Sequence, residues 1–141
     1  MNNIPDGFEL VPLASAFPNM VAPIYARRTP GGRVFGVRIE PRHCNSDGTV
    51  HGGFLLTIAD ATLTWGRADA QDLPRVTLSL TAEMLATAAA GDWLEIDVEV
   101  LRQGRSIAFA NAFLRVGTRR VMRASGVFRP VPPSTPAAPS G

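Results

Sequence analysis

The sequence predicts an α+β fold in which a curved antiparallel β-sheet wraps around one long central α-helix. A nearly continuous apolar run from Phe54 to Trp65 predicts the helix, because its side chains cover most of the circumference at about 100° per residue. Four strand-like segments follow residue 74 and are separated by glycine-containing turns, which predicts an antiparallel meander. A helix that is apolar on nearly every side must be buried, and a sheet wrapped around it buries both elements.

The segments before the helix are shorter and less regular. Residues 1–20 contain three prolines among scattered apolar positions, which predicts an irregular segment or a short helix. Residues 24–28 and 34–40 are predicted strands around a Pro-Gly-Gly turn. A polar loop follows, and the long helix is predicted to run from about Gly52 to about Arg67.

Turns mark the ends of the four strands predicted after the helix. Glycine-containing turns at residues 104–105 and 117–118 predict tight hairpins. One segment places apolar side chains at even positions and acidic ones at odd positions from 94 to 100, so one of its faces is expected in the core. The predicted strands cover residues 75–84, 93–103, 106–116 and 119–128.

The chain is predicted to hold one domain between two less ordered ends. Its 141 residues are enough for a sizeable core. A domain over residues 21–129 is expected to follow residues 1–20, and the Pro-, Ala- and Ser-rich residues 130–141 are expected to be a disordered tail. No apolar run reaches membrane-spanning length and no secretory signal opens the chain, so a cytoplasmic protein is expected.

Composition excludes several kinds of site. The single cysteine, Cys44, excludes an internal disulfide and a multi-cysteine metal centre, and no metal site is predicted. The net charge of +2 is too small to indicate nucleic-acid binding. All fourteen basic residues are arginines, and from residue 100 onward seven arginines occur without an Asp or Glu. Such a region can bind anionic phosphates, because a guanidinium group forms two parallel hydrogen bonds with them. The alternative interpretation is a basic surface that only contacts water.

Asp60 is the one ionisable side chain in the apolar run. On a helix it shares a narrow polar stripe with Gly53, Thr57 and Thr64, so the stripe is expected to face something more specific than bulk water. A carboxylate held there is partly removed from water, which makes it a candidate for function. A structural acid that is hydrogen-bonded to Thr57 or Thr64 is the alternative interpretation.

The motif around this acid resembles a known family. Asn45 precedes His51 by six residues, His51 is followed by two glycines, and Asp60 follows the second of them by seven. With the strand pattern behind it, this stretch resembles the hotdog-fold thioesterases of the PaaI-like (4-hydroxybenzoyl-CoA thioesterase) group over roughly residues 18–129. The resemblance implies hydrolysis of acyl-CoA thioesters in homodimers, usually paired as dimers of dimers, with no cofactor beyond the coenzyme A of the substrate.

The chemistry of thioester hydrolysis gives the motif a physical meaning. Gly52 and Gly53 leave the first N–H groups of the helix bare, so a carbonyl oxygen can approach them as in an oxyanion hole. Asp60 can act as general base or as nucleophile. Gly52 and Asp60 are eight residues apart, or about 12 Å along the axis, so one carbonyl cannot reach both in one chain. The site is therefore expected to be completed by a second subunit. Close packing of the helix, or a helix cap, is the alternative reason for Gly52 and Gly53.

The resemblance also implies roles for further residues. Asn45 is placed near the carbonyl or the attacking water, with a turn residue as the alternative. Thr77 occupies the position on the following strand where related enzymes often carry Ser or Thr near the acid. His51 is expected to cap the helix or to support the site from behind it. The residues implied in coenzyme A binding lie in a hairpin and at the start of a basic strand: Gly104, Arg105, Ser106, Arg119 and Arg120.

Two other classes of function stay open at this point. A hotdog dehydratase or hydratase usually pairs a catalytic His with the acid on the helix, and the interior of this helix has no His. A non-catalytic acyl-CoA or lipid-binding protein, including a sensor, is the second alternative. The sequence does not indicate whether the acyl group is aromatic or aliphatic.

Overall fold

Seven strands of the described residues form one antiparallel sheet, and one long helix packs against it. The computed structural model describes residues 3–13, 15–64 and 75–130. In chain order the elements are β1 (Glu9–Leu10), α1 (Ala16–Val21), β2 (Tyr25–Thr29), β3 (Gly32–Arg38), a 3₁₀ turn (Pro41–His43), α2 (Gly52–Thr64), β4 (Arg75–Met84), β5 (Trp93–Gln103), β6 (Ala108–Val116) and β7 (Arg119–Pro130). Across the sheet the order is β1-β2-β3-β5-β6-β7-β4. This is the predicted α+β architecture.

Helix α2 supplies the centre of the core. Its buried side chains include Leu55, Ile58 and Leu63, while the polar stripe predicted from the sequence stays exposed or half-exposed. The sheet meets the helix with fully buried side chains such as Leu94 and Phe128. Burial of one such side chain contributes about 1.5–3 kcal/mol, so the contact between helix and sheet is a main source of stability.

The strands after α2 differ from the predicted ones by two residues or fewer at their ends. β4 and β5 have the predicted bounds, β6 begins two residues later, and β7 ends two residues later. Leu94 and Ile96 of β5 are fully buried, as the alternation predicts. The pairing of β5 with β6 changes register after Val100, and the alternation ends there.

A two-residue strand, β1, lies in the segment that was predicted to be irregular or a short helix. Glu9 and Leu10 pair with Ala26 and Tyr25, so this segment joins the edge of the sheet. A strand of two residues is too short to show alternation, which is why no pattern indicates it. β2 begins and ends one residue later than predicted, and β3 begins and ends two residues earlier. The turn between them consists of residues 30 and 31 alone, because Gly32 already pairs with Thr29, and its φ of 141° favours glycine.

Two predictions fall wholly or mostly outside the described residues. They are the end of the long helix near Arg67 and the tail over residues 130–141, of which only Pro130 is described, at the end of β7. Within the part of the chain that the structure describes, no helix is long and apolar enough to cross a membrane.

The two ends of α2 lie at opposite ends of β4. A Cβ built on Gly52, at the start of the helix, would lie 3.2 Å from the methyl group of Met84, at the end of β4. The carbonyl of Leu63, near the end of the helix, accepts a hydrogen bond at 3.1 Å from Arg75, at the start of β4. The strand therefore runs back along the helix, which brings Thr77 close to the third helical turn.

His43 joins three elements near the start of α2. The backbone N–H of Glu40 donates to His43 Nδ1 at 3.0 Å, and Nε2 donates at 2.8 Å to the carbonyl of Val21, the last residue of α1. The ring stacks on Phe54 of α2 with the ring centroids 4.0 Å apart. The neutral imidazole uses both nitrogens in this way, and burial lowers the pKa of His43.

We expect the free energy of unfolding to decrease as the pH falls below about 6.5, the ordinary histidine pKa. Because folding lowers the pKa of His43, the unfolded chain binds more protons between the folded value and the ordinary one. This contribution is complete above the ordinary pKa and is lost as the pH falls towards the folded one. Urea unfolding from about pH 8 to about pH 5.5 measures it.

A variant without His43 tests this prediction. In His43→Gln the dependence of stability on pH should flatten. Equal slopes in the wild type and in His43→Gln would contradict the role given to His43.

Candidate active site

Asp60 lies half-buried in the third turn of α2 and is held by a side chain of the sheet. The hydroxyl of Thr77 on β4 donates to Asp60 Oδ1 at 2.7 Å. The alternative bond from Thr57 or Thr64 is wrong, because those hydroxyls donate to the backbone carbonyls of Gly53 and Asp60. Thr77 thus orients one carboxylate oxygen, and Asp60 Oδ2 has no hydrogen-bond partner among the described residues.

A cavity of about 570 Å³ opens beside Asp60, in the size range of small-molecule pockets. Side chains of α1, α2 and β4 line it together. Asp60 and Thr77 are on its polar side. Its apolar lining consists of Phe17, Pro18, Leu56, Ala61 and Leu80. No group of three or more His, Cys, Asp or Glu is placed to hold a metal ion within residues 3–13, 15–64 and 75–130.

Arg75 is a second charged residue of this cavity, and sequence reasoning missed it. Its buried side chain donates to the carbonyl of Leu63 and to Oε1 of Gln103, both at 3.1 Å. A guanidinium is favourable there because the carbonyl groups of a helix point towards the negative end of its dipole. Nothing in the spacing of the sequence distinguishes this arginine from an exposed one at the start of a strand.

The start of α2 is capped by the residue before it. Nδ1 of His51 accepts a hydrogen bond from the N–H of Gly53 at 2.8 Å, and the His51 carbonyl accepts from Phe54 at 3.0 Å. The predicted capping by His51 is therefore seen. Of the two amides predicted to bind a carbonyl, the N–H of Gly53 is already in use. The N–H of Gly52 has no acceptor among the residues that the structure describes.

Asn45 lies in the loop before the helix, and its side chain is exposed. The backbone closes the turn without it, since the N–H of Asn45 donates to the Thr49 carbonyl at 2.7 Å. Asp47 provides the local side-chain bond of this turn, accepting from the N–H and the hydroxyl of Thr49 at 3.0 and 2.6 Å. In the described part of the chain, the side chain of Asn45 makes no hydrogen bond, so its amide group can bind a substrate or a water molecule.

The residues implied in coenzyme A binding form two groups at opposite ends of β6. Gly104, Arg105 and Ser106 lie before this strand, and Arg119 and Arg120 lie after it. Its nine residues span roughly 26 Å at about 3.3 Å per residue. One chain therefore does not bring the two groups together.

The two arginines after β6 already have contacts within the chain. Arg119 donates to the carbonyl of Thr87 at 3.2 Å and lies 3.9 Å from the carboxylate of Asp92. The guanidinium of Arg120 packs over the ring of Phe113 at 4.3 Å. Both side chains are nevertheless exposed, so a ligand can still reach them.

Comparison with known proteins assigns the chain to a family. A family model described as the acyl-CoA thioesterase N-terminal domain matches residues 39–129, more than half of the chain. The chain belongs to this thioesterase family. A relative from Pseudomonas aeruginosa, PA0474, whose name assigns it provisionally to the esterases, is 38% identical to the thioesterase over 131 residues. That match covers 91% of this chain and 98% of the relative.

Two solved structures share the fold of the thioesterase. The PaaI protein of Escherichia coli, from its phenylacetic acid degradation operon, superposes with a TM-score of 0.72 at 20% identity, over 84% of this chain and 86% of that one. A thioesterase-named protein of Streptococcus pneumoniae, solved with coenzyme A, gives 0.70 at 23% identity, over 82% and 92%. The predicted hotdog fold is confirmed, and the family match makes the chain a thioester hydrolase.

Sequence reasoning also missed the contribution of α1 to the site of the thioesterase. Phe17 and Pro18 line the cavity beside Asp60, although they are more than forty residues away in the chain. The helix has six residues, fewer than two turns, so no apolar period is visible in it.

Proposed function

We propose that this thioesterase hydrolyses acyl-CoA at sites that are shared between two subunits. Asp60 and Thr77 come from one chain, and the start of α2, at Gly52, comes from its partner. The observation that carries the proposal is the 2.7 Å contact of Thr77 with Asp60, which orients a carboxylate in the wall of a substrate-sized cavity. The free amide of Gly52 is about 12 Å away along the same helix, too far for one carbonyl to touch both.

The partner's helix start polarises the thioester carbonyl in this proposal. The N–H of Gly52 donates to the carbonyl oxygen, at the positive end of the helix dipole. The carbon becomes more electrophilic, and the charge that develops on the oxygen in the transition state is stabilised. His51 keeps this end of the helix in place through its bond to Gly53. The exposed amide of Asn45 supports the same oxygen or the attacking water.

Asp60 acts on the polarised carbonyl in one of two ways. As a general base, it takes a proton from a water while that water attacks the carbon, and the tetrahedral intermediate then releases coenzyme A as the thiolate. As a nucleophile, it attacks the carbon directly, the thiolate leaves, and water hydrolyses the resulting anhydride. Both routes yield a free acid and coenzyme A. Neither needs a cofactor beyond the coenzyme A of the substrate.

The exposed edge of β4 supports the proposed pairing of subunits. It is an edge strand, and Val76, Leu78 and Met84 on it are 41%, 53% and 50% exposed. An apolar edge of this kind is a liability in a lone chain, and a second copy covers it. Two-fold symmetry would make the paired β4 strands antiparallel, with the Met84 end of one beside Thr77 of the other. Because Met84 lies over Gly52, the partner's helix start would then reach the acid.

The same pairing would place the two groups of residues proposed to bind coenzyme A at one end of the joined sheet. The antiparallel arrangement sets Arg119 and Arg120 of one chain at the same end of the joined sheet as the hairpin over residues 104–106 of the other, four strand spacings or about 19 Å away. Guanidinium groups there would bind the phosphates of coenzyme A. The coenzyme A in the Streptococcus pneumoniae structure of the same fold supports this ligand. We further propose that two such dimers associate as a tetramer.

Thiol release from a panel of acyl-CoA thioesters tests the proposed function. The purified protein should release free coenzyme A in proportion to time and enzyme, and the acid product should appear in equal amount. Binding of acyl-CoA without thiol release would favour the binding-module alternative. Hydration of an enoyl thioester with the thioester bond left intact would favour the hydratase alternative.

We expect Gly52→Ala to lose activity without losing stability. A methyl group on Gly52 meets only the flexible end of Met84, at 3.2 Å, and alanine is the better helix former, so the melting temperature should stay equal or rise slightly. The same methyl group obstructs the approach of a carbonyl to the amide, so kcat should fall by about tenfold or more. Steady-state thiol release and thermal unfolding measure the two effects.

Gly31→Ala is the control for this substitution, because a Cβ at Gly31 meets no atom within 4 Å and the residue lies between β2 and β3, on the opposite side of the sheet from β4. It should change neither activity nor stability. Full activity of Gly52→Ala would show that the carbonyl does not approach this amide.

A further inference from the structure

The short helix α1 forms one side of the cavity beside Asp60, and no step of the proposed reaction uses it. Phe17 and Pro18 of α1 face Leu56 of α2 and Leu80 of β4 across this space. The part of the cavity between them is apolar. The proposed reaction at Asp60 assigns no part of the substrate to this space.

α1 is fixed in this position by contacts along its length. Pro18 is buried, and the Asn19 side chain donates to the Leu13 carbonyl at 2.6 Å. At the other end, the Val21 carbonyl accepts from Nε2 of His43 at 2.8 Å. A six-residue helix is not stable by itself, so these contacts define its place. The wall that it forms is therefore part of the fold.

Phe17 differs from the other residues of this helix. Its side chain lines the cavity, yet the residue is 58% exposed. The exposed ring surface gains by contact with an apolar ligand, since each Å² of apolar surface removed from water is favourable. Met20 is even more exposed, at 70%, but it does not line the cavity.

The polar half of an acyl-CoA has little to bind in this part of the site. Pantetheine amides and phosphates need hydrogen-bond partners and accessible cations. Arg75 is the guanidinium in the lining, and it is buried and donates to Leu63 and Gln103. The exposed arginines at positions 105, 119 and 120 do not line the cavity. The acyl chain therefore suits this space better than the coenzyme does.

We propose that α1 is the acyl wall of the site and that Phe17 selects acyl groups with apolar carbon beyond the first two atoms. An acetyl group placed with its carbonyl beside Asp60 is too short to gain much from the ring. Medium-chain and aromatic acyl groups extend over it and bury it. The inference rests on the proposed function, because it takes the thioester carbon to lie beside Asp60.

The experiment compares octanoyl-CoA with acetyl-CoA as substrates of Phe17→Ala. The ratio of kcat/KM for octanoyl-CoA to that for acetyl-CoA should fall by about tenfold, as expected for the loss of apolar contacts in a pocket. Met20→Ala removes a more exposed apolar side chain from the same helix and should keep the wild-type ratio. Phe17→Leu, which preserves apolar contact and so protects the fold, should shift the ratio in the same direction by a smaller factor.

Binding measurements separate a failure of this inference from a failure of the proposed function. The dissociation constants of the two thioesters, measured by calorimetry, should show the same loss of preference in Phe17→Ala even if no thiol is released. An equal loss for both acyl groups, or the same shift in Met20→Ala, would overturn the selection by Phe17. Gel filtration of each variant identifies a change of oligomeric state, which would assign Phe17 to a subunit contact instead.

Discussion

Replacing Asp60 with asparagine is expected to lower kcat for acyl-CoA hydrolysis by a factor of about 10² to 10⁴, the usual contribution of a general base. A nucleophilic carboxylate would give a loss at least as large. The amide of the variant has the shape of the carboxylate, and its oxygen can still accept the hydrogen bond from Thr77, so the fold should be retained. Steady-state thiol release measures the rate, and circular dichroism with thermal unfolding checks the structure.

Two further variants show whether the loss belongs to the site. Asp97→Asn removes a carboxylate on β5 that pairs with Arg115, outside the cavity, and should leave kcat unchanged. Thr77→Val removes the hydroxyl that orients Asp60 and should cost about tenfold, whereas Thr77→Ser should recover most of the rate. Full turnover by Asp60→Asn would refute the catalytic role of this acid, even if the enzyme class is right.

Two impaired variants are expected to restore activity to each other when they assemble together. In a mixed dimer of Asp60→Asn and Gly52→Ala chains, one site carries both changes and the other carries neither. Random assembly of equal amounts should leave about a quarter of the sites intact, because each site takes one acid and one helix start from different chains. Co-expression of the two chains with different tags, followed by thiol-release assays of the purified mixture, measures this fraction.

A second mixture provides the negative control for complementation. Asp60→Asn and Thr77→Val alter residues that touch within one chain, so every site in their mixed dimer keeps one of the two changes. Its activity should not exceed the mean of the two variants assayed separately. If the mixture of Asp60→Asn with Gly52→Ala also stays at its mean, the sites are not shared between chains in the way proposed.

The regular parts of this fold were predictable because long patterns indicate them. α2 and the strands β4 to β7 show either a full apolar circumference or alternation between glycine turns, and their bounds agree within two residues where they are described. β1 was missed because two residues show no period. The position of α1 over the cavity depends on contacts with His43 and Leu13, which no local pattern encodes.

For the candidate site, the sequence allowed residues to be proposed but indicated little of their geometry. The solitary position of Asp60 in an apolar helix indicated a special role, and the contact with Thr77 agrees with that position. Sequence spacing did not show that Nδ1 of His51 accepts a hydrogen bond from the N–H of Gly53. It also did not show that the hairpin at 104–106 and the pair Arg119 and Arg120 lie at opposite ends of a strand, because strand pairing is a long-range property.

The length of α2 has a mechanical consequence under the proposed arrangement. Each helix serves two reaction centres, giving its acid to one and its first amide to the other. The rise of a rigid rod sets the spacing between these two groups, so no loop has to be ordered to maintain it. A shift or tilt of either helix would change the geometry of both active sites at once, so the two sites would gain or lose activity together.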